Sequence, residues 1–193
     1  GDIMNKFSSI LILSLLSAGW LNGCSGSENT VPVDVTVRGA YNVGQQSTSI
    51  TYQPKGIEGE RTLRLVIWYP TNETDGVEPL WGDSLIDAAP IPDAEFPVLV
   101  YSHGTSSFAE CAYDLMEYYA SHGFVVASAD HTGDTTANRN DPRTTEMYVQ
   151  RPQDISAVID YIYDLPADNP LAGRLTEDLA LAGHSFGGWN VFS

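Results

Sequence analysis

The sequence predicts an α/β fold: a mainly parallel sheet, preceded by an antiparallel hairpin and wrapped by helices. Three observations carry the prediction. Short continuous apolar runs of the kind buried on both faces of a parallel sheet alternate with amphipathic helical stretches. An alternating polar/apolar pair of segments comes first, separated by a turn-rich stretch. Near the end, an apolar run passes through Gly183-His184-Ser185-Phe186-Gly187-Gly188 into a helix start.

Each element follows from local chemistry. Residues Ser47 to Tyr52 alternate, and Arg61 to Tyr69 does so more strongly, with Leu63, Leu65 and Ile67 on one face. The Pro-Lys-Gly-Ile-Glu-Gly-Glu stretch between them reads as the hairpin turn. Residues Thr71 to Glu95 form a loop with seven acidic and no basic side chains, expected to be a solvated surface excursion. Pro97 to Ser102 is a buried strand, followed by His103-Gly104-Thr105-Ser106-Ser107. A helix is predicted from about Phe108 to Ser121, with Ala112, Leu115, Met116 and Tyr119 on its stripe and His122-Gly123 as its stop. Phe124 to Ala129 is the next buried strand, and Asp130 to Glu146 a polar loop. A second helix is expected from about Arg151 to Leu165, with Pro152 in its first turn and Ile155, Val158, Ile159 and Ile162 facing the core. Leu179 to Ala182 is the last strand, and a helix begins at Gly187. No internal repeat is visible.

The 193 residues suffice for one domain with a real core, and 42% hydrophobic with 18% charged residues is a globular composition. The formal net charge is −16, and no Lys or Arg occurs between Arg64 and Arg139. Such a surface repels phosphate backbones, so no nucleic-acid partner is expected. The two cysteines, Cys24 and Cys111, form neither a Cys-x-x-Cys nor a His/Cys cluster. No metal site and no cofactor are therefore expected.

The N-terminus reads as a targeting segment. Lys6 precedes an apolar run from Ile10 to Trp20, too short to span a bilayer but suited to a signal peptide. The run leads into Leu21-Asn22-Gly23-Cys24, which resembles a bacterial lipobox. That resemblance implies cleavage before Cys24, lipidation of Cys24 and a place in the bacterial cell envelope, with the lipid anchor as the membrane contact. An ordinary secretory signal with an incidental cysteine is the alternative. The expected organisation is thus a signal segment over 1–23, a tether over 24–36 and an α/β domain over 37–193. If Cys24 is lipidated, Cys111 has no partner and is expected to be a free, buried thiol.

Gly-x-Ser-x-Gly between a buried strand and a helix is the form of a nucleophile elbow, which holds a serine hydroxyl at the tip of a strained turn. Gly183 and Gly187 give the turn clearance, and Gly188 adds more. Ester hydrolysis also requires two backbone N–H donors aimed at the developing oxyanion. Phe186, directly after the nucleophile, supplies one. The strand-and-bend Val100 to Thr105 suits the other.

Together, Ser-His-Gly after a buried strand, the run Ser121 to His131, Arg151-Pro-x-Asp154-Ile and Gly-His-Ser-Phe-Gly-Gly resemble the α/β-hydrolase family. Within it they are most similar to the branch containing plasma-type platelet-activating factor acetylhydrolase and bacterial predicted dienelactone hydrolases. The resemblance spans roughly residues 37–193. It implies that Ser185 is the nucleophile, that the N–H groups of Phe186 and Thr105 form the oxyanion hole, and that the substrate is a carboxylic ester. His103 and Gly104 would brace the oxyanion loop, and His184 would tuck beside the elbow. His122 is expected to be exposed; Asp130 and Asp134 are expected to be loop and substrate-face residues.

In the family the order is Ser, then Asp or Glu, then His, and all four histidines here precede Ser185. The acid and base are therefore expected beyond Ser193. The chain as it stands is then expected to be inactive, lacking the last strands and helices, with the elbow strand left as an apolar edge. Acyl transfer by the same serine, or a non-catalytic envelope lipoprotein on a hydrolase scaffold, are the other readings.

Overall fold

A computed structural model describes residues 34–139 and 145–193. Cys24 and the expected signal segment lie outside the described residues. Six strands form one sheet: β1 (Asn42–Tyr52), β2 (Arg61–Thr71), β3 (Leu85–Ile86), β4 (Phe96–Ser102), β5 (Val125–Ala129) and β6 (Leu175–Gly183). Three helices accompany them: α1 (Tyr113–Ser121), α2 (Met147–Tyr163) and α3 (Phe186–Asn190). The strand order is β3-β1-β2-β5-β4-β6.

The hairpin is the expected one. β1 and β2 pair antiparallel along their whole length, from Asn42 opposite Thr71 to Tyr52 opposite Arg61. Their turn places Gly56 and Gly59 at φ +75° and +92°, backbone that glycine adopts without Cβ strain. β2 also pairs antiparallel with β5, whereas β5, β4 and β6 run parallel. The sheet is therefore a parallel block fronted by an antiparallel hairpin.

Alternation along β2 divides the core. Leu63, Leu65, Ile67 and Tyr69 face one side, where Ile155, Val158 and Ile162 of α2 cover them. Val66 and Trp68 face the other, against Met116 and Ala120 of α1. The two crossover helices thus lie on opposite faces. From β4 the chain crosses to β5 on one side, then returns past β4 to β6 on its other side. The order in which strands are added reverses between β4 and β6, and in open α/β sheets the crevice beyond the carboxyl ends of the strands at such a point is where ligands bind.

The structure corrects several details. The acidic loop contains β3, two residues paired parallel with β1. α1 starts at Tyr113, because residues 108–112 close turns instead, with Cys111 N–H donating to Phe108 O (3.1 Å) and Tyr113 N–H to Glu110 O (3.0 Å). Its buried face runs through Met116, Glu117 and Ala120, while Leu115 is exposed. Glu117 turns that face toward the acidic loop: its carboxylate accepts the N–H groups of Asp83 and Ser84, each at 2.8 Å, and pairs with Arg38. α1 ends at Ser121, and Gly123 takes φ +99° as expected of a stop.

α2 begins a turn earlier than expected, at Met147, which puts Pro152 inside the helix. A proline there has no N–H for the Tyr148 carbonyl, a cost that the packing of α2 on the sheet outweighs. Cys111, expected to be buried, is exposed, because it sits in the turns before α1 rather than on the helix stripe. Among the described residues no helix is long and apolar enough to cross a membrane. β6 lies at the sheet edge, with Leu179 and Leu181 both about 40% exposed.

Candidate active site

The carboxyl ends of β4 and β6 bring two peptide bends into contact. At the end of β6, Ser185 adopts φ 54°, ψ −120°. A non-glycine residue held at positive φ is strained, and such strain concentrates at functional sites. The serine is exposed at the tip of the turn. Its neighbours explain why the turn needs glycine. A Cβ on Gly187 would collide with the carbonyl oxygens of Ser102 and His103, and one on Gly183 with the backbone of Gly187.

At the end of β4, Ser102 to Thr105 form the second bend. His184 N–H donates to the Ser102 carbonyl at 3.2 Å, tying elbow to loop. A Cβ on Gly104 would lie 3.6 Å from the Ser185 Cβ and 3.1 Å from His184 Nδ1. The loop therefore sits directly against the serine. Among the described residues, the Thr105 and Phe186 amides donate to no protein acceptor. These are the two amides that the sequence reading expected to form an oxyanion hole.

Behind this loop lies a buried polar network. Asp154 of α2 is fully buried and accepts from Arg61 Nε and an Arg61 terminal nitrogen, both at 2.9 Å, and from the Tyr52 hydroxyl at 2.6 Å. It also faces His131 Nδ1 at 2.9 Å. A carboxylate only accepts, so Nδ1 carries the imidazole proton and Nε2 accepts from the Ser102 hydroxyl, 2.9 Å away. His103 Nε2 accepts the His131 backbone N–H at 3.1 Å, which leaves its Nδ1 proton to donate to Gly104 O at 2.6 Å.

Arg151, also on α2 and buried, donates to Asp134 Oδ2 at 2.7 Å, to the His103 carbonyl, and to the Ser102 hydroxyl at 3.3 Å. Its guanidinium lies 4.9 Å from the centre of the Phe186 ring. Phe186 in turn stacks on Trp189 and meets Tyr148 edge-on.

Electrostatics follow burial. Burial, reinforced by the neighbouring His131, pushes the His103 pKa down to about 3. Burial also lowers His131, outweighing the attraction of Asp154. For Asp154 burial alone would raise the pKa, yet the hydrogen bonds from His131 and Arg61 prevail and hold the carboxyl below its ordinary value. Both histidines are thus neutral in the fold, whereas in the unfolded chain they titrate near 6.5.

Between about pH 3 and 6.5 the unfolded state binds more protons at the His103 position, so stability is complete above about pH 6.5 and falls as pH drops. His103 contributes roughly 1.4 kcal/mol per pH unit in that window, and His131 acts in the same direction. Asp154 acts in the same direction below the ordinary carboxyl range. The expected result is a urea midpoint that falls steeply from pH 6 to 4. His103→Gln should lessen that slope; an unaltered slope would contradict the assignment.

Of the residues named from the sequence, the structure brings Ser185, Phe186, Gly183, Gly187, His103, Gly104 and Thr105 together. It differs at three others. His184 is exposed rather than tucked away, because its side chain lies on the open side of the bend beside Gly104. Asp134 does not face a substrate; it is buried against Arg151. His122 is half-buried, with Nε2 3.0 Å from the Val37 carbonyl oxygen. Asp130, as expected, serves its loop, accepting the Ala109 N–H at 2.7 Å. Ser185 forms no cap bond with its side chain, and no described histidine or carboxylate bonds its hydroxyl.

Sequence reasoning assigned no role to Arg151 and Asp154. Their signal was the Arg-Pro-x-Asp spacing, since i and i+3 share a helix face. Among the described residues no group of three or more His, Cys, Asp or Glu could hold a metal ion. A groove of about 810 Å³ runs between β1 and α2, lined by Tyr52, Lys55, Gln153 and Asp160, but no elbow residue lines it.

A model of the chlorophyllase family matches residues 69–193. Among solved structures, a ferulic acid esterase from Streptomyces cinnamoneus is similar in fold, with a TM-score of 0.67 and 21% identity. The match covers 82% of this chain and 56% of that one, so the chain spans little more than half the length of that esterase. No curated protein sequence matches.

Proposed function

The chain belongs to the chlorophyllase family, and from that premise we propose that it is a carboxylic ester hydrolase whose nucleophile is Ser185. The observation that carries the reading is the contact of two bends: an exposed serine at φ 54° with the Gly104–Thr105 loop packed against it. Ser185 Oγ attacks the ester carbonyl and forms a tetrahedral oxyanion held by the Thr105 and Phe186 amides. The serine proton passes to a base and on to the leaving alcohol as the carbonyl–alkoxy bond breaks. Water then attacks the acyl-enzyme, and Ser185 recovers its proton. The base and its orienting carboxylate are residues other than those described around Ser185.

Short-chain acyl esters and phospholipid acyl esters are the proposed substrates, in keeping with the motif resemblance to the platelet-activating factor acetylhydrolase branch. The proposal includes a lipid anchor at Cys24, supported by the lipobox-like sequence alone.

A fluorophosphonate probe tests the reading on protein expressed from the complete reading frame. Labelling confined to the peptide containing Ser185, with turnover of p-nitrophenyl acetate, is the expected result. A folded protein that neither labels nor turns over would favour a non-catalytic role. Added alcohols that divert product into new esters would favour acyl transfer.

A further inference from the structure

The buried Arg151–Asp134 pair has no part in the chemistry just described, yet each partner holds a backbone group of the same loop. Arg151 donates to the His103 carbonyl, two residues before Thr105. Asp134 Oδ1 accepts the Ser106 N–H at 3.0 Å, one residue after it. The pair closes at 2.7 Å with both side chains under 5% exposed. Thr105 is therefore clasped on both sides by one ion pair. The same guanidinium lies against the ring of Phe186, whose amide is the other proposed donor.

We propose that Arg151 and Asp134 are positioning residues that set the spacing and aim of the two oxyanion donors. The physical case rests on cost. A buried ion pair is seldom more stabilising than apolar packing of similar volume, so its retention is better explained by geometry that apolar groups cannot supply. A methyl group cannot hold a carbonyl and an amide at fixed angles. Oxyanion donors act only when they already point at the charge that develops, and a misplacement near 1 Å can cost about 10²-fold in rate. Helix α2 is a rigid base for such a clasp: Asp154, one turn beyond Arg151, fixes His131, which orients the Ser102 hydroxyl that Arg151 also contacts.

The catalytic consequence rests on the ester-hydrolase reading, whereas the anchoring of the loop does not. The test uses Asp134→Asn and Arg151→Lys in protein expressed from the complete reading frame. Asp134→Asn removes the charge but keeps an acceptor; Arg151→Lys keeps the charge but loses the fork that reaches Asp134 and His103 together. For each folded variant, kcat on p-nitrophenyl acetate should fall about 30-fold with KM changed less than about twofold. Affinity for a boronic acid that mimics the tetrahedral intermediate should fall in parallel with kcat/KM. Hydrogen exchange at the Ser106 amide, which Asp134 accepts, should quicken about tenfold.

Unchanged kcat per folded molecule, or a loss matched by loss of titratable serine, would overturn the proposal and leave the pair a purely structural one. If the parent protein hydrolyses no ester, the functional reading fails by itself. The exchange measurement then decides the clasp, and unchanged exchange at Ser106 overturns it.

Discussion

Ser185→Ala is expected to abolish ester turnover, lowering kcat by about 10⁴-fold or more, while the fold and substrate binding persist. The reason is that the proposed reaction runs through the Ser185 hydroxyl, exposed at the tip of the elbow. Ser102 is hydrogen-bonded to His131, which bonds Asp154, the same atom-to-atom order as a catalytic triad, but it is wholly buried and reaches no substrate. Ser185→Gly separates mechanism from strain. It should be equally inactive, yet more stable than the parent by about 1 kcal/mol, because glycine adopts φ 54°, ψ −120° without a Cβ clash. Alanine, which keeps the Cβ, should not share that gain. Steady-state kinetics and thermal unfolding of both variants check the pair. Substantial activity in Ser185→Ala would remove Ser185 from the mechanism.

The largest expected loss of stability is at Asp154. Its carboxylate is fully buried and accepts four hydrogen bonds, from Tyr52, twice from Arg61 and from His131. Asp154→Ala would leave the Arg61 guanidinium, 11% exposed, and the His131 Nδ1 proton without their acceptor. Stranding one half of a buried ion pair costs about 3–5 kcal/mol. Asp154→Asn should recover only part, since its amide presents a donor where two donors already converge. Combining Asp154→Leu with Arg61→Met should be milder than Asp154→Ala alone, because no charge is then left unpaired. Urea unfolding at pH 7 measures all three. A cost below about 1 kcal/mol for Asp154→Ala would show that the network is solvated or dispensable.

The parts legible in the sequence were those set by short-range patterns. The alternation of Leu63, Leu65 and Ile67 gave the hairpin face, continuous apolar runs gave β4 and β5, and glycine spacing gave the elbow. These signals lie within a few residues of one another. The polar network was not legible because its members are distant along the chain. Ser102 meets His131 after 29 residues, and Arg61 meets Asp154 after 93. No local pattern marks such a pairing. The same limit explains α1, where the face chosen depends on Glu117 meeting the acidic loop 34 residues before it. It also explains α2, where Pro152 reads locally as a start and long-range packing keeps the helix running through it. The exposure of His184 had no local signal either, since it depends on which side of the bend the β4 loop occupies.

Helix α2 carries its two network residues three positions apart, with Ile155, Val158 and Ile162 on the adjoining strip that packs on the sheet. Successive residues of an α-helix are offset by about 100°. One residue inserted between Arg151 and Asp154 would therefore swing one end of the helix around by that angle. Either Arg151 would leave Asp134 and the β4 loop, or Asp154 and the apolar strip would leave His131 and the sheet together. The surface of α2 is free to drift in composition. Its phase is not, so length changes in descendants of this gene are expected in the loops on either side of the helix and not within its span from Arg151 to Ile162.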